Sequence, residues 1–179
     1  MVVTGIVGET FAFRKLKKEK ANIEWKELLN NINQKDYDII SRDKKIKVQV
    51  KTVKNGNWSL NAEKFLEFDE DLLDKEKKQR IINSKNLDEK VNYFIFVKLE
   101  DFREEEPSIK DDKVIIPIKY NSIKYYIIDT HSLQEIVKKR YQEFLNKHNS
   151  KRPRNENSFH TGVKEEDLKE FENKWNLIK

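Results

Sequence analysis

Asp38, Gln49 and Lys51 are the residues of this chain whose types and spacing could do chemistry. Asp38 precedes two isoleucines, and Gln49 and Lys51 flank Val50 in the next apolar run. Carboxylate, amide and carbonyl oxygens bind hard cations, which neutralise a phosphate and generate hydroxide near neutral pH. We therefore expect Asp38, Gln49 and the Val50 carbonyl to bind Mg²⁺, with Mn²⁺ as a substitute. Lys51 would orient or deprotonate an attacking water.

Glu9 is the candidate for a second metal-binding carboxylate. It follows Gly5 and Gly8 at the opening of a predicted helix over residues 5–20. Glycines at these positions would allow the helix to approach a strand closely. The first turn of a helix also favours acids through the macrodipole, so an ordinary first-turn glutamate is the alternative interpretation of Glu9.

The strand that would hold Gln49 and Lys51 is predicted over residues 45–53. Alternate side chains of a strand point to opposite faces, so its apolar residues would face the core together. The other face would then carry the polar residues Lys45, Lys47, Gln49 and Lys51. An amphipathic strand with a solvated, lysine-rich face is the alternative interpretation of this pattern.

The other elements follow from periodicity and turn residues. Residues 21–29 fit a strand or a short helix equally. Asn55 and Gly56 predict a hairpin that returns residues 58–60 along the catalytic strand. The remaining predictions are strands at 37–41, 91–99, 114–118 and 123–129, helices at 61–68, 72–83, 132–146 and 164–177, a charged loop at 100–113 and a linker at 148–157.

Together these residues resemble the PD-(D/E)XK nuclease superfamily, which includes many restriction endonucleases and the archaeal Holliday junction resolvases. The resemblance covers roughly residues 4–100: a Gly-Glu helix, Tyr-Asp-Ile-Ile, Val-Gln-Val-Lys-Thr and a later apolar strand. It implies that Glu9 and Asp38 bind metal and that Lys51 is the catalytic lysine. Gln49 stands where the family more often has a carboxylate, and Tyr37 replaces the proline of the family's name.

The resemblance also implies a fold and a reaction. The fold would be α/β, with a restriction-endonuclease-like mixed β-sheet flanked by helices in an αβββαβ order and a short C-terminal helical appendage. The reaction would be metal-dependent hydrolysis of DNA by water attack. A homodimer is expected, because cutting both strands of a duplex needs two active sites.

Charge along the chain favours nucleic acid as the partner. The net charge is +5, and residues 1–60 carry thirteen Lys and Arg against seven acids. Basic surfaces attract polyanions through counterion release. The candidate DNA-binding residues are Lys45, Lys47, Lys54, Trp58, Arg152 and Arg154, with a solvated surface lysine, a packed tryptophan and an ordinary linker as the alternatives.

With 179 residues, the chain is expected to form one domain over residues 1–147, followed by a linker and an amphipathic helix over residues 148–179. No cysteine is present, which suits a reducing cytoplasm, and no apolar run approaches the length that spans a bilayer. We expect a cytoplasmic protein without membrane association. Two rival functions remain. Gln49 makes a non-cleaving nucleic-acid-binding protein plausible, and the terminal helix suggests a partner protein and hence an accessory subunit of a restriction, defence or repair complex.

Overall fold

The computed structural model describes residues 2–28, 36–71, 76–87, 90–110, 113–153 and 158–179. The helices are α1 (Val2–Glu19), α2 (Thr130–Lys147) and the short α3 (Glu165–Leu168). The strands are β1 (Trp25–Glu27), β2 (Ile39–Ser41), β3 (Lys47–Val53), β4 (Trp58–Asn61), β5 (Leu66–Phe68), β6 (Ile81–Ser84), β7 (Tyr93–Glu100), β8 (Arg103–Glu104), β9 (Ser108–Lys110), β10 (Lys113–Ile115), β11 (Ile118–Lys119), β12 (Ser122–Asp129) and β13 (His160–Val163).

A five-stranded mixed sheet in the order β1-β2-β3-β7-β12 forms the centre of the fold. The pairs β1–β2, β2–β3 and β7–β12 are antiparallel, whereas β3 and β7 run parallel. The predicted apolar strand near residues 91–99 is β7, and it lies between β3 and β12. Phe94 to Val97 are all buried, because both faces of the sheet are covered.

The helices α1 and α2 cover opposite faces of this sheet. Ala12 and Leu16 of α1 pack with Val48 and Val50 of β3. On the other face, α2 packs against the aromatic residues of β7 and β12 through Leu133, Val137, Tyr141 and Leu145. The predicted α/β class, with a mixed sheet flanked by helices, is therefore confirmed.

The strand pairing predicted for the turn at Asn55 and Gly56 is wrong. Gly56 has a positive φ of 77°, as a turn requires, but β4 pairs antiparallel with β13. The reason is packing, since the Trp58 indole meets Phe96 and Tyr126 edge-on and its N–H donates to the Val97 carbonyl at 3.3 Å. These contacts hold β4 over the face of the sheet.

The helix predicted over residues 61–68 is also wrong. A single 3-10 turn, Ala62–Lys64, is followed by β5, which pairs with β6. Leu66 and Phe68 are buried while Glu67 is exposed, which is the two-residue period of a strand. Residues 81–84, expected to end a second helix, form β6, and residues 72–75 of that predicted helix lie outside the described residues.

The predicted charged loop over residues 100–113 contains short strands. β8 pairs with β11, and β9 pairs with β10, both antiparallel. The predicted start of the following helix moves as well. The N-cap of α2 is Asp129, three residues before the predicted start at residue 132, and its carboxylate accepts a hydrogen bond from the Ser132 backbone N–H at 2.9 Å.

The C-terminal helix predicted over residues 164–177 is wrong. The chain forms the four-residue α3 and then two 3-10 turns, Lys169–Phe171 and Trp175–Leu177. Leu168, Trp175 and Ile178 are buried in the chain's own core, with exposed fractions of 5% or less. The apolar side of this segment is therefore covered by the sheet. In the described part of the chain, no helix is long and apolar enough to cross a bilayer.

Candidate functional site

The site begins where β2 separates from β3. Ile39, the first residue of β2 in chain order, pairs with Val48 of β3, and the pairing of the two strands ends there. At Asp38 the backbone N–H donates to the Val48 carbonyl at 2.9 Å, and side-chain Oδ2 accepts a hydrogen bond from the Val50 N–H at 2.6 Å. A carboxylate thus takes the position that a strand would otherwise occupy beside Val50.

This hydrogen bond also orients the backbone of β3. The N–H and C=O groups of one strand residue point to the same neighbour. Because the Val50 N–H points at Asp38, the Val50 carbonyl faces the same gap. The Val50 carbonyl, which was expected from the sequence to be a metal ligand, therefore faces the same gap as the Asp38 carboxylate.

Gln49 and Lys51 occupy the predicted alternation of β3. Val48 and Val50 are buried, and Gln49 and Lys51 are half-buried on the other face. Burial lowers the pKa of Lys51, against the opposing charges of Asp38 and Glu9. Burial likewise raises the pKa of Asp38, against the Val50 N–H and the Lys51 charge. The two side chains therefore lie close enough for their charges to interact.

Glu9 joins this group from α1. Burial, followed by the charges of Asp38 and Glu27, raises the pKa of Glu9 to about 7, and Lys51 acts in the opposite direction. A carboxylate with its pKa near neutrality is poorly compensated by its surroundings. The structure thus brings together Glu9, Asp38 and Lys51, as predicted.

Glu27 is a functional candidate that the sequence reasoning missed. It pairs in register with Ile39, next to Asp38, and burial raises its pKa while Arg14 acts in the opposite direction. Its Oε1 is buried and has no hydrogen-bond partner among the described residues. The alternation of buried Trp25, exposed Lys26 and inward Glu27 was the available signal, but residues 21–29 fitted a helix equally.

The donor set fits a hard cation. The Asp38 carboxylate and the Val50 carbonyl face the gap, and Gln49 precedes Val50 on β3. Glu9 is close enough for its charge to interact with those of Asp38 and Glu27, and the Oε1 of Glu27 has no hydrogen-bond partner among the described residues. Within the described ranges, no three Asp, Glu, His or Cys side chains are grouped closely enough to hold a metal ion. A cation here would therefore depend on Gln49 and the Val50 carbonyl as well as on Glu9 and Asp38.

The predicted DNA-binding residues lie in different environments. Lys45 precedes β3 in an exposed turn, so its place on the strand was predicted wrongly. Lys47 begins β3, and its ammonium lies 5.7 Å from the centre of the Tyr37 ring. Lys54 forms an ion pair with Glu104 at 3.2 Å. Only Lys45 remains largely exposed among these three.

Trp58 and Arg152 have structural roles. Trp58 is 1% exposed, so the predicted contact of its ring with DNA is wrong. The Arg152 guanidinium lies 4.6 Å from the centre of the Phe144 ring and donates to the His160 carbonyl. Arg154, the last predicted residue of this set, lies outside the described residues.

Comparison of the chain with protein-family models, with curated proteins and with solved structures found no match. The resemblance to PD-(D/E)XK nucleases therefore rests on the sequence pattern quoted above. Function is inferred below from the geometry of Glu9, Asp38 and Lys51 at the gap between β2 and β3.

Proposed function

We propose that the protein is a Mg²⁺-dependent DNA endonuclease of the PD-(D/E)XK type. The observation that carries this proposal is the meeting of Glu9, Asp38 and Lys51 at the point where β2 leaves β3. A half-buried cluster of two acids and a lysine has no evident role in stability, because each of the three loses solvation there.

Each group has a distinct role in the proposed reaction. The cation would neutralise the phosphate and activate water when bound. Glu9 and Asp38 would hold it, together with Gln49 and the Val50 carbonyl. The Val50 N–H fixes the Asp38 carboxylate, and Lys51 orients the attacking water or accepts its proton.

The fold supports the proposal at a coarse level. A mixed five-stranded sheet with a helix on each face agrees with the mixed, helix-flanked sheet expected from the resemblance. The finer restriction-endonuclease-like assignment is part of the proposal. So are a homodimer, which would cut both strands, and a cytoplasmic location, which the absence of cysteine favours.

A second candidate is a DNA-binding protein that keeps this arrangement without cleaving. The neutral Gln49 amide favours it, because it leaves the site one negative charge short of the usual pattern. The accessory-subunit alternative loses its sequence basis, since Leu168, Trp175 and Ile178 pack into the chain's own core.

The decisive experiment is nicking of supercoiled plasmid with Mg²⁺ or Mn²⁺ and with EDTA. The variants are Asp38→Asn, which keeps an acceptor for the Val50 N–H, and Lys51→Met, which keeps most of the side-chain volume. Lys138→Met and Asp71→Asn are the matched controls at exposed positions.

Metal-dependent nicking that both site variants lose and both controls keep supports the nuclease. DNA binding by the wild-type protein without nicking in either metal overturns it in favour of the binding protein. Equal nicking by all variants would show that the activity belongs to a contaminant.

A further inference from the structure

A cavity of about 370 Å³ adjoins the proposed site. We call it the β3 cavity. Gln49 forms part of its wall. The other lining residues come from residues 61–65 around the 3-10 turn after β4, from Lys85, Leu87, Lys90 and Val91 between β6 and β7, and from Asp36 and Phe94. Its volume lies within the range of roughly 300–1,000 Å³ that small-molecule sites have.

The floor of the β3 cavity is apolar. Phe65 and Phe94 line it and are 4% and 1% exposed, with ring centres 5.7 Å apart. Leu87 and Val91, each 5% exposed, complete this floor. Because these four side chains expose little surface, the floor gives the cavity an apolar bottom rather than a ring face for stacking.

The rim of the β3 cavity is basic. Lys64, Lys85 and Lys90 stand on it, against the carboxylates of Asp36 and Glu63. None of these three lysines forms an ion pair or a side-chain hydrogen bond with another described residue, whereas Lys54, Lys98 and Lys124 all do. Unpaired ammonium groups around a cavity favour an anionic ligand, and lysine binds phosphate as a point charge.

The β3 cavity meets the proposed site at Gln49. Gln49 belongs to both, and Lys51 lies two residues further along β3. The positive charge of Lys64 on the rim also acts to lower the pKa of Lys51. A ligand in the cavity would therefore lie next to a phosphate held beside Lys51.

We propose that the β3 cavity takes one unpaired nucleotide of the DNA strand that is cleaved, with its base inside the cavity and its phosphate among the lysines of the rim. A base cannot enter such a cavity while it is stacked and paired in a duplex. The substrate is then DNA with an unpaired nucleotide beside the scissile phosphate. This inference rests on the proposed function and names its substrate class.

The test measures binding apart from cleavage. Fluorescence anisotropy, with Ca²⁺ in place of Mg²⁺ so that DNA stays intact, compares a fully paired duplex with the same duplex carrying one unpaired 2-aminopurine. The cavity variant is Lys85→Glu with Lys90→Glu. The control is Lys138→Glu with Lys139→Glu, which makes the same charge change on the exposed face of α2.

The expected result is at least tenfold tighter binding of the unpaired duplex by the wild-type protein and by the control. The cavity variant loses this preference, and the 2-aminopurine emission that changes on binding to the wild-type protein no longer changes. Equal binding of the two duplexes, or a preference that the cavity variant keeps, overturns the inference.

Two further arms separate this inference from its alternatives. Displacement of the unpaired duplex by millimolar free deoxynucleoside monophosphates would assign the cavity to free nucleotides and overturn the strand-bound version. The plasmid assay is read independently. Nicking without preference for an unpaired nucleotide refutes only the cavity inference, and preference without nicking refutes only the nuclease.

Discussion

Gly8 of α1 lies directly against Thr52 of β3. A methyl group at Gly8 would stand 1.9 Å from Thr52 Oγ1 and 2.7 Å from Thr52 Cβ. The helix therefore touches the strand one residue before Glu9 and one residue after Lys51. This contact sets the distance between the two elements that supply the proposed site.

Gly8→Ala should destabilise the protein by about 2 kcal/mol, because the added carbon overpacks a rigid contact. It should also reduce nicking at least tenfold by moving Glu9. Gly5→Ala is the matched control, since a methyl group at Gly5 would stand 4.0 Å from its nearest neighbour, Glu9 Oε1. That change should stabilise the helix by roughly 0.5–1 kcal/mol. Chemical denaturation measures both effects, and equal stabilities for the two variants would contradict the close contact.

Glu9→Gln should stabilise the metal-free protein at pH 8. The folded-state pKa of Glu9 is raised from 4.5 to about 7, so its contribution to stability is present below pH 4.5 and lost as the pH rises through 7. The neutral amide avoids that loss. With allowance for solvent screening of a half-exposed group, the gain is about 1–2 kcal/mol.

Thermal unfolding at pH 4 and pH 8 without divalent ions measures the change at Glu9. The Glu67→Gln control, at an exposed position of β5, should show no difference from the wild-type protein. Adding Mg²⁺ at pH 8 should stabilise the wild-type protein more than Glu9→Gln. A Glu9→Gln variant that is less stable than the wild type at pH 8 would contradict the raised pKa.

Glu27→Gln tests the buried carboxylate beside the proposed metal ligands. Removing its charge should raise the stability of the metal-free protein, because the orphaned Oε1 loses solvation in the folded state. It should also weaken Mn²⁺ binding severalfold, since one nearby negative charge is lost. Isothermal titration with Mn²⁺ measures the second effect. Glu135→Gln, on the exposed face of α2, should change neither quantity.

Glu165 should make the fold acid-sensitive. Its carboxylate accepts hydrogen bonds from Lys98, from the Tyr126 hydroxyl at 2.6 Å and from Lys124 at 3.3 Å, and these bonds lower its pKa to about 2. A lowered pKa contributes stability above pH 4.5 that is lost as the pH falls towards 2.

Glu165→Gln should therefore cost about 1 kcal/mol at pH 7, after discounting for a partly exposed group. The difference from the wild-type protein should shrink as the pH falls below 4.5. Urea unfolding at pH 7 and pH 3 gives both values, with Glu170→Gln as the exposed control. A cost that stays constant between the two pH values would show that packing, rather than charge, holds this residue.

The local patterns of the site were readable from the sequence. The alternation of residues 45–53 correctly assigned Gln49 and Lys51 to one face of β3. Of the two glycines before Glu9, Gly8 makes the predicted close approach of helix and strand, and Gly5 does not. The apolar run near residues 91–99 correctly predicted a central strand. These features are local, because side-chain periodicity and glycine geometry act within a few residues. Cleavage of DNA by the site stays a prediction.

Pairing across the chain was decided only by the tertiary structure. β4 pairs with β13, about a hundred residues away, because the Trp58 indole is held between Phe96 and Tyr126. Glu27 gained its place beside Glu9 through β1 pairing with β2. The β3 cavity likewise forms only where residues from distant parts of the chain meet. A sequence shows which residues can be buried, but the partners that bury them depend on non-local packing, which no local period contains.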